Sequence, residues 1–202
     1  MTVLRSRSIS AGAFYFDCPE SPAYGRAMGF HHLALVTRDT KATHEFYTKA
    51  MGFALAKVEV GATPEGGWSK HFFYELEGEG MIAFWEIHDD TLAKDHPTGI
   101  ASDLGLPVWS NHVAFTAKDR GELDRHRERW VENGHDVMEV DHEWCVSIYT
   151  LDPNGIMVEF CLTTRAFTEQ ETEDALALLR DPAPKLPEGS PKTKVYRATT
   201  RD

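Results

Sequence analysis

From His32 the chain alternates, with His32, Ala34 and Val36 on one side of an extended segment and Leu33 and Leu35 on the other. The period then changes over "DTKATHEFYTKAMGF", which reads as a helix closing at Gly52, the residue type that suits the left-handed position past a helix end. Strand-like runs follow in "HFFYELEG" and "MIAFWEI". The same succession returns in "NHVAFTAKDRGELDRHRERWVENGHDV". There His112, Ala114 and Thr116 oppose Val113 and Phe115, a helix ends at Gly134, and "VSIYTLD" and "IMVEFCL" read as strands. In both copies an Asp stands seven positions after the strand-opening His, at Asp39 and at Asp119. Each copy therefore predicts β-α-β-β-β. A unit of that size has too little core to stand alone, so the two are expected to pair.

The ends of the chain lie outside this repeat. Residues 1–28 show no clear period and read as an N-terminal arm. Residues 29–163 form the paired domain, divided into modules 29–105 and 106–163. Within residues 164–202, "TEQETEDALALLR" predicts a short helix with Thr168 as N-cap, and the Pro-rich remainder reads as an extended tail.

Composition narrows the setting. Hydrophobic content of 42% and charged content of 26% are those of a globular domain. A net charge of −11 argues against nucleic acid and anionic membrane, both of which select basic surfaces. No apolar run reaches the ~20 residues of a membrane helix and no export signal is evident, so a cytoplasmic location is expected. Cys18, Cys145 and Cys161 make an odd set without CxxC and read as buried thiols rather than a disulfide framework.

Strand alternation also gathers chemistry. Met157, Glu159 and Cys161 share a face of the last strand, so a carboxylate sits inside an apolar run. A buried carboxylate is costly unless paired, and a divalent cation is a good partner. If the two copies curl their sheets round one cavity, His32, His112 and Glu159 can meet there. Two imidazoles and a carboxylate leave open positions that suit non-haem iron(II), whereas a structural zinc site prefers four ligands and thiolates. The competing reading makes both His strand-end residues with satisfied hydrogen bonds and pairs Glu159 with an Arg. His31 points to the opposite face from His32, and the spacing to Asp39 selects His32.

The repeat resembles the paired βαβββ modules of the vicinal-oxygen-chelate superfamily, which includes glyoxalase I, extradiol dioxygenases and antibiotic-resistance proteins. The likeness covers roughly residues 30–163. Within it, "VDHEWCVSIYTLDPNGIMVEF" is similar to the extradiol ring-cleavage signature, supplying Val140, His142, Ile148-Tyr149, Asp152-Pro153, Gly155 and Glu159 in order.

The resemblance implies an α+β fold, two paired βαβββ modules forming a cupped mixed sheet around a metal site. It implies His32, His112 and Glu159 as ligands of Fe(II), with Mn(II) as the alternative ion. It further implies catalytic roles for His71, His142 and Tyr149, a small aromatic diol and O2 as substrates, and a homo-oligomer. Those roles are a proton shuttle at His71 or His142 and a substrate hydrogen bond from Tyr149. Glyoxalase I adds a fourth ligand, a Glu in the last strand of its first module. Here Ala83 aligns with that position and Glu86 falls on the other strand face unless a bulge shifts it. A glyoxalase-like lyase or isomerase and a non-catalytic drug-binding protein are the rival readings. His44, His88, His96, His126 and His135 are expected on solvated helices or loops.

Overall fold

The computed structural model describes residues 30–76, 80–187 and 189–199. The N-terminal arm, with Cys18, lies outside them. The first module runs β1 (His32–Val36), α1 (Thr40–Glu45) continuing as a π-helical turn (Phe46–Ala50), β2 (Ala54–Ala62), β3 (Trp68–Glu75) and β4 (Met81–His88). The second runs β5 (His112–Thr116), α2 (Arg120–Glu132), β6 (Val137–Asp141), β7 (Cys145–Leu151) and β8 (Met157–Thr163). This is the β-α-β-β-β succession read twice from the sequence. The repeated Asp now has a physical role: Asp39 accepts from Ala42 N at 2.9 Å and Asp119 from Glu122 N at 2.8 Å, so each caps its helix. Gly52 and Gly134 close the helical segments at φ 81° and 89°.

The modules make two hydrogen-bonded sheets, β1-β4-β3-β2 and β5-β8-β7-β6-β9, in which β1 and β5 each sit at one edge. In both sheets the edge strand is parallel to its neighbour and the other pairs are antiparallel. The helices lie between the sheets. Tyr47 packs on Phe84 at 4.7 Å, Trp130 on Phe160 at 5.4 Å, and Phe53 bridges to Phe115 at 5.1 Å. Arg129 Nη1 donates to Met51 O at 3.0 Å, joining α2 to the π turn. One apolar core thus serves both modules, with Tyr47, Tyr74, Phe84, Leu123, Trp130, Ile148 and Val158 buried in it.

Because strand side chains alternate, the residues opposite that core face outward from the helical layer. The outer face of the first sheet carries His32, His71, Phe73, Ala83 and Trp85; that of the second carries His112, Ser147, Tyr149 and Glu159. The two faces point away from each other. The chain thus carries its two modules as two hydrogen-bonded sheets.

The C-terminal region differs from a free tail. Helix α3 (Glu169–Arg180) has the expected Thr168 cap, completed as a capping box by Glu171, and residues Lys192–Tyr196 form β9 on the edge of β6. The strand is drawn in by the buried Glu139. Its carboxylate accepts from Arg120 at 3.0 Å and from Tyr196 OH at 3.4 Å, with Arg127 and Lys194 beside it. All five histidines expected to be solvated have partners, His96 Nδ1 lying 2.9 Å from Ala93 O. His126 stacks on Phe160 at 3.6 Å, His135 meets Phe46 at 4.9 Å, His44 bonds Tyr74 OH at 3.0 Å, and His88 stacks on Trp68 at 3.8 Å. The helical ones face the sheets, where an imidazole packs as a flat ring.

Candidate metal centre

The second module brings most of its candidate residues together. His112 opens β5 and Glu159 stands on the neighbouring β8, beside Ala114 in the ladder. His112 Nε2 lies 3.0 Å from Glu159 Oε2. On the far side, Ser147 Oγ of β7 donates to Glu159 Oε1 at 2.5 Å. Tyr149 is paired directly with Glu159 across β7 and β8, with its ring 6.2 Å from that of His112. His142 completes the group, its Nε2 3.1 Å from Tyr149 OH. It rides a tight turn in which Glu143 adopts φ 72° and donates its N–H to Asp141 Oδ1.

Tautomer chemistry makes the His112–Glu159 contact informative. His112 Nδ1 lies 2.9 Å from Trp109 O, an atom that can only accept, so the proton sits on Nδ1. A neutral ring then turns the lone pair of Nε2 toward a carboxylate oxygen. Two acceptors at 3.0 Å require a positive charge, either a second imidazole proton or a cation. Two ligands ~2.1 Å from one ion and at right angles stand ~3.0 Å apart, so the pair fits a divalent metal. The buried Glu159 carboxylate is met by His112 and Ser147. Burial pushes the Tyr149 hydroxyl up to about 12, with Ser147 opposing and the Glu159 charge adding, so the phenol keeps its proton at neutral pH.

The first module holds a different set. His32 and Phe73 have ring centroids 5.6 Å apart, and His71 lies 5.9 Å from His32. His31 Nδ1 touches His32 Nδ1 at 2.7 Å, leaving Nε2 of His32 as the atom not engaged in that contact. His71 is buried, stacks on Trp85 at 3.8 Å, and its Nε2 makes no hydrogen bond within the described residues. Burial, aided by the charge of His32 and opposed by Glu59, lowers its pKa, which keeps a free imidazole nitrogen. Among the described residues no group of three His, Cys, Asp or Glu side chains is gathered to hold a metal. His112 and Glu159 touch; His32 belongs to the other sheet, on the face turned the other way.

Register decides the fourth-ligand question. Ala34 pairs with Ala83 as Ala114 pairs with Glu159, so Ala83 occupies in the first module the place of the carboxylate in the second. No bulge interrupts β3 and β4, and Glu86 pairs with Lys70 on the helix-facing side. It accepts from Lys70 at 2.9 Å and contacts His88 at 2.7 Å. The outer face of β4 offers no carboxylate at this level.

Sequence reasoning did not find Ser147 or the Trp109 carbonyl. Ser147 was reachable, since alternation from Tyr149 puts it on the same face. The Trp109 contact depends on a loop and left no pattern. The Asp-Pro-x-Gly signature has a structural part here. Asp152 Oδ1 accepts from Asn154 N at 2.8 Å and Ile156 N at 2.9 Å, and Oδ2 accepts from Tyr47 OH at 3.2 Å and Asn154 Nδ2 at 2.9 Å. The turn thereby ties the second module to α1 of the first.

Several solved structures are similar to the chain. A glyoxylase/bleomycin resistance protein/dioxygenase domain from Frankia sp. EAN1pec is 19% identical, covering 68% of this chain and 99% of that one, at a TM-score of 0.53. Lactoylglutathione lyase from Agrobacterium tumefaciens is 22% identical over 67% of this chain and 94% of its own, at 0.46. TnmS3, an antibiotic binding protein from Streptomyces sp. CB03234, is 15% identical over 68% and 98%, at 0.48. No curated protein matches the chain. Residues 29–160 match the Glyoxalase/Bleomycin resistance protein/Dioxygenase superfamily, and the chain belongs to that superfamily.

Proposed function

We propose that the protein is an extradiol dioxygenase that opens the ring of a catechol beside its two hydroxyls, using O2 and a divalent metal, and that it works as a pair of copies. The observation that carries this reading is the His112–Glu159 contact, with Nδ1 of His112 committed to a carbonyl and the His142–Tyr149 pair alongside. The bare outer face at Ala83, together with Glu86 bound to Lys70 and His88, favours an open three-ligand site over the four-ligand lyase arrangement.

The strand order supports pairing. His32 and His112 both lie on edge strands, each with one hydrogen-bonded neighbour. Edge-to-edge contact of β1 from one copy with β5 of another would make the two outer faces continuous. His32 would then stand beside the second copy's counterparts of His112 and Glu159. A twofold pair builds two such sites, since each copy contributes both halves.

Bound iron(II) supplies a Lewis acid that lowers the pKa of a catechol hydroxyl and a redox centre that allows an aromatic diol to react with dioxygen. The remaining work falls to the chain. Tyr149, protonated up to about pH 12, donates to a substrate oxygen. His142 holds that phenol in place and offers an exchangeable proton. His71, neutral and with Nε2 unengaged, accepts a proton from the diol side of the cup. Trp85 and Phe73 give that side an apolar wall for an aromatic ring.

The test is anaerobic loading with iron(II), then air and a panel of monocyclic, biphenyl-type and amino-acid catechols, with oxygen uptake and yellow product as readouts. Uptake equal to one O2 per catechol supports the reading. Inactivity across the panel with iron bound, or activity on a hemithioacetal with nickel or zinc, overturns it.

A further inference from the structure

We propose that residues 164–167 form a positioning strap for His142, holding its imidazole against Tyr149 beside the candidate metal centre. His142 stands in the short turn between β6 and β7, and the next residue, Glu143, has φ 72°. Among the described residues Glu143 is the one non-glycine in that left-handed region, which a side chain occupies at a cost. Glycine or asparagine usually fills such a place, since a turn that only reverses the chain gains nothing from strain. A strained residue persists where its surroundings over-determine it, and such residues cluster at functional sites. The Glu143 side chain is exposed, so what the turn delivers toward Tyr149 is its neighbour, His142.

The restraint comes largely from outside the hairpin. Within it, His142 N donates to Cys145 O at 2.9 Å, Trp144 N to His142 O at 2.9 Å, and Glu143 N to Asp141 Oδ1 at 2.9 Å. From the segment that follows β8, Thr164 Oγ1 donates to Glu143 O at 2.9 Å. Thr164 N donates to Trp144 O at 2.9 Å, and Arg165 N reaches the same carbonyl at 3.4 Å. Phe167 then closes on the Trp144 indole, with ring centroids 5.0 Å apart. The carbonyls of both residues after His142 are therefore held by this segment. Its far end is anchored in turn by α3. Arg165 Nη1 and Nη2 donate to the Glu171 carboxylate at 2.9 and 2.8 Å, and Thr168 caps the same helix.

The consequence falls on the imidazole. The backbone of His142 is fixed before it by the pairing of Asp141 with Val146 and after it by the strap. Only the side-chain torsions remain, and the bond of Nε2 with Tyr149 OH at 3.1 Å closes them. That bond has little slack, because a shift of about 0.5–1 Å in the turn takes the pair beyond hydrogen-bonding reach. A catalytic group displaced by ~1 Å costs up to about 100-fold in rate. A role in turnover rests on the proposed ring opening, whereas the placement of His142 does not.

The full chain, isotope-labelled and without added metal, reports the placement through proton–nitrogen spectra of its histidine rings, with His142 assigned by the signals that His142→Gln removes. Tyr149→Phe should move those signals, because the bond to Nε2 is lost. Thr164→Val keeps the β-branch and deletes the hydroxyl. It should broaden or split the His142 signals and make them insensitive to Tyr149→Phe, and Thr164→Ser should restore both. Where Thr164→Val does not fold, Phe167→Ala, at a position 62% exposed, carries the same test. Unmoved signals in Tyr149→Phe, or equal loss in Thr164→Val and Thr164→Ser, overturn the proposal. So does a lower urea midpoint with the His142 signals intact, which marks a purely structural role. In the iron-loaded enzyme Thr164→Val should lower kcat about 10-fold with KM kept within about 2-fold, and Thr164→Ser should recover it; an unchanged kcat overturns the strap. Catechol inactivity of the unsubstituted enzyme sinks the ring-opening reading, and the spectra then decide the strap by themselves.

Discussion

The Asp152 carboxylate offers the sharpest test of what the Asp-Pro-x-Gly turn does. It is buried and accepts four hydrogen bonds, from Asn154 N, Ile156 N, Asn154 Nδ2 and Tyr47 OH. Asp152→Ala removes the acceptor for all of them. Asn154 Nδ2 keeps Thr43 Oγ1 at 3.2 Å, so three donors are orphaned in a space that water enters poorly. At ~1–3 kcal/mol for each buried unsatisfied group, with partial relaxation, the variant should lose about 3–5 kcal/mol. That is a large part of the ~5–15 kcal/mol that holds a domain together. Asp152→Asn should cost only about 1 kcal/mol. Its carbonyl oxygen keeps the two backbone donors, its amide turns toward Tyr47, and the burial that raises the Asp152 pKa no longer opposes a charge. Equilibrium urea unfolding followed by tryptophan fluorescence measures both. An Asp152→Ala loss below about 1 kcal/mol, or equal losses for Ala and Asn, would refute a structural role for this motif.

Four further outcomes are expected. Ser147→Ala leaves Glu159 without its orienting donor and should weaken metal binding about 10–100-fold by competition titration, with little change in urea midpoint. Gly52→Ala imposes a side chain at φ 81°, and its Cβ would press on Arg129 Nη1, which bonds Met51 O, so it should cost about 2 kcal/mol or more in the same unfolding assay. The Glu86 carboxyl is held down at about 2, its burial outweighed by bonds from His88 and Lys70, so folded-state pKa lies below the unfolded value of 4.5. Its stabilisation is present above about pH 4.5 and is lost as pH falls toward 2; Glu86→Gln should remove on the order of 1–2 kcal/mol from the difference in stability between pH 5 and pH 3. Tyr149→Phe should abolish the high-pH absorbance transition near pH 12 assigned to that phenol, while leaving the fold intact.

Much of the fold is legible in the sequence. The switch from period two to a helical period, repeated with a His at each strand start, specifies β-α-β-β-β twice, because side-chain alternation and helix caps are local properties. Asp39, Asp119, Gly52, Gly134 and Thr168 mark helix ends for the same reason. Faces were legible within a strand: counting puts Tyr149 and Ser147 on one side of β7, and Met157, Glu159 and Cys161 on one side of β8, while only the register brings the two sets together. Strand register then made Ala83 the counterpart of Glu159, at the place that the resemblance to glyoxalase I had given to a fourth ligand.

Only the tertiary structure decided how the two modules meet. Local pattern says that each sheet has an apolar face and a polar-bearing one, but it does not say whether the modules share helices or share a cup. Phe53, Tyr47, Trp130 and Phe160 pack the helices together between the sheets, and that choice turns His32 away from His112 and Glu159. The docking of β9 on the buried Glu139 was likewise hidden, since a charge that waits for a strand distant in sequence leaves no period to read. Periodicity fixes which side of a strand a residue occupies; what that side faces is settled by contacts between segments far apart in the chain.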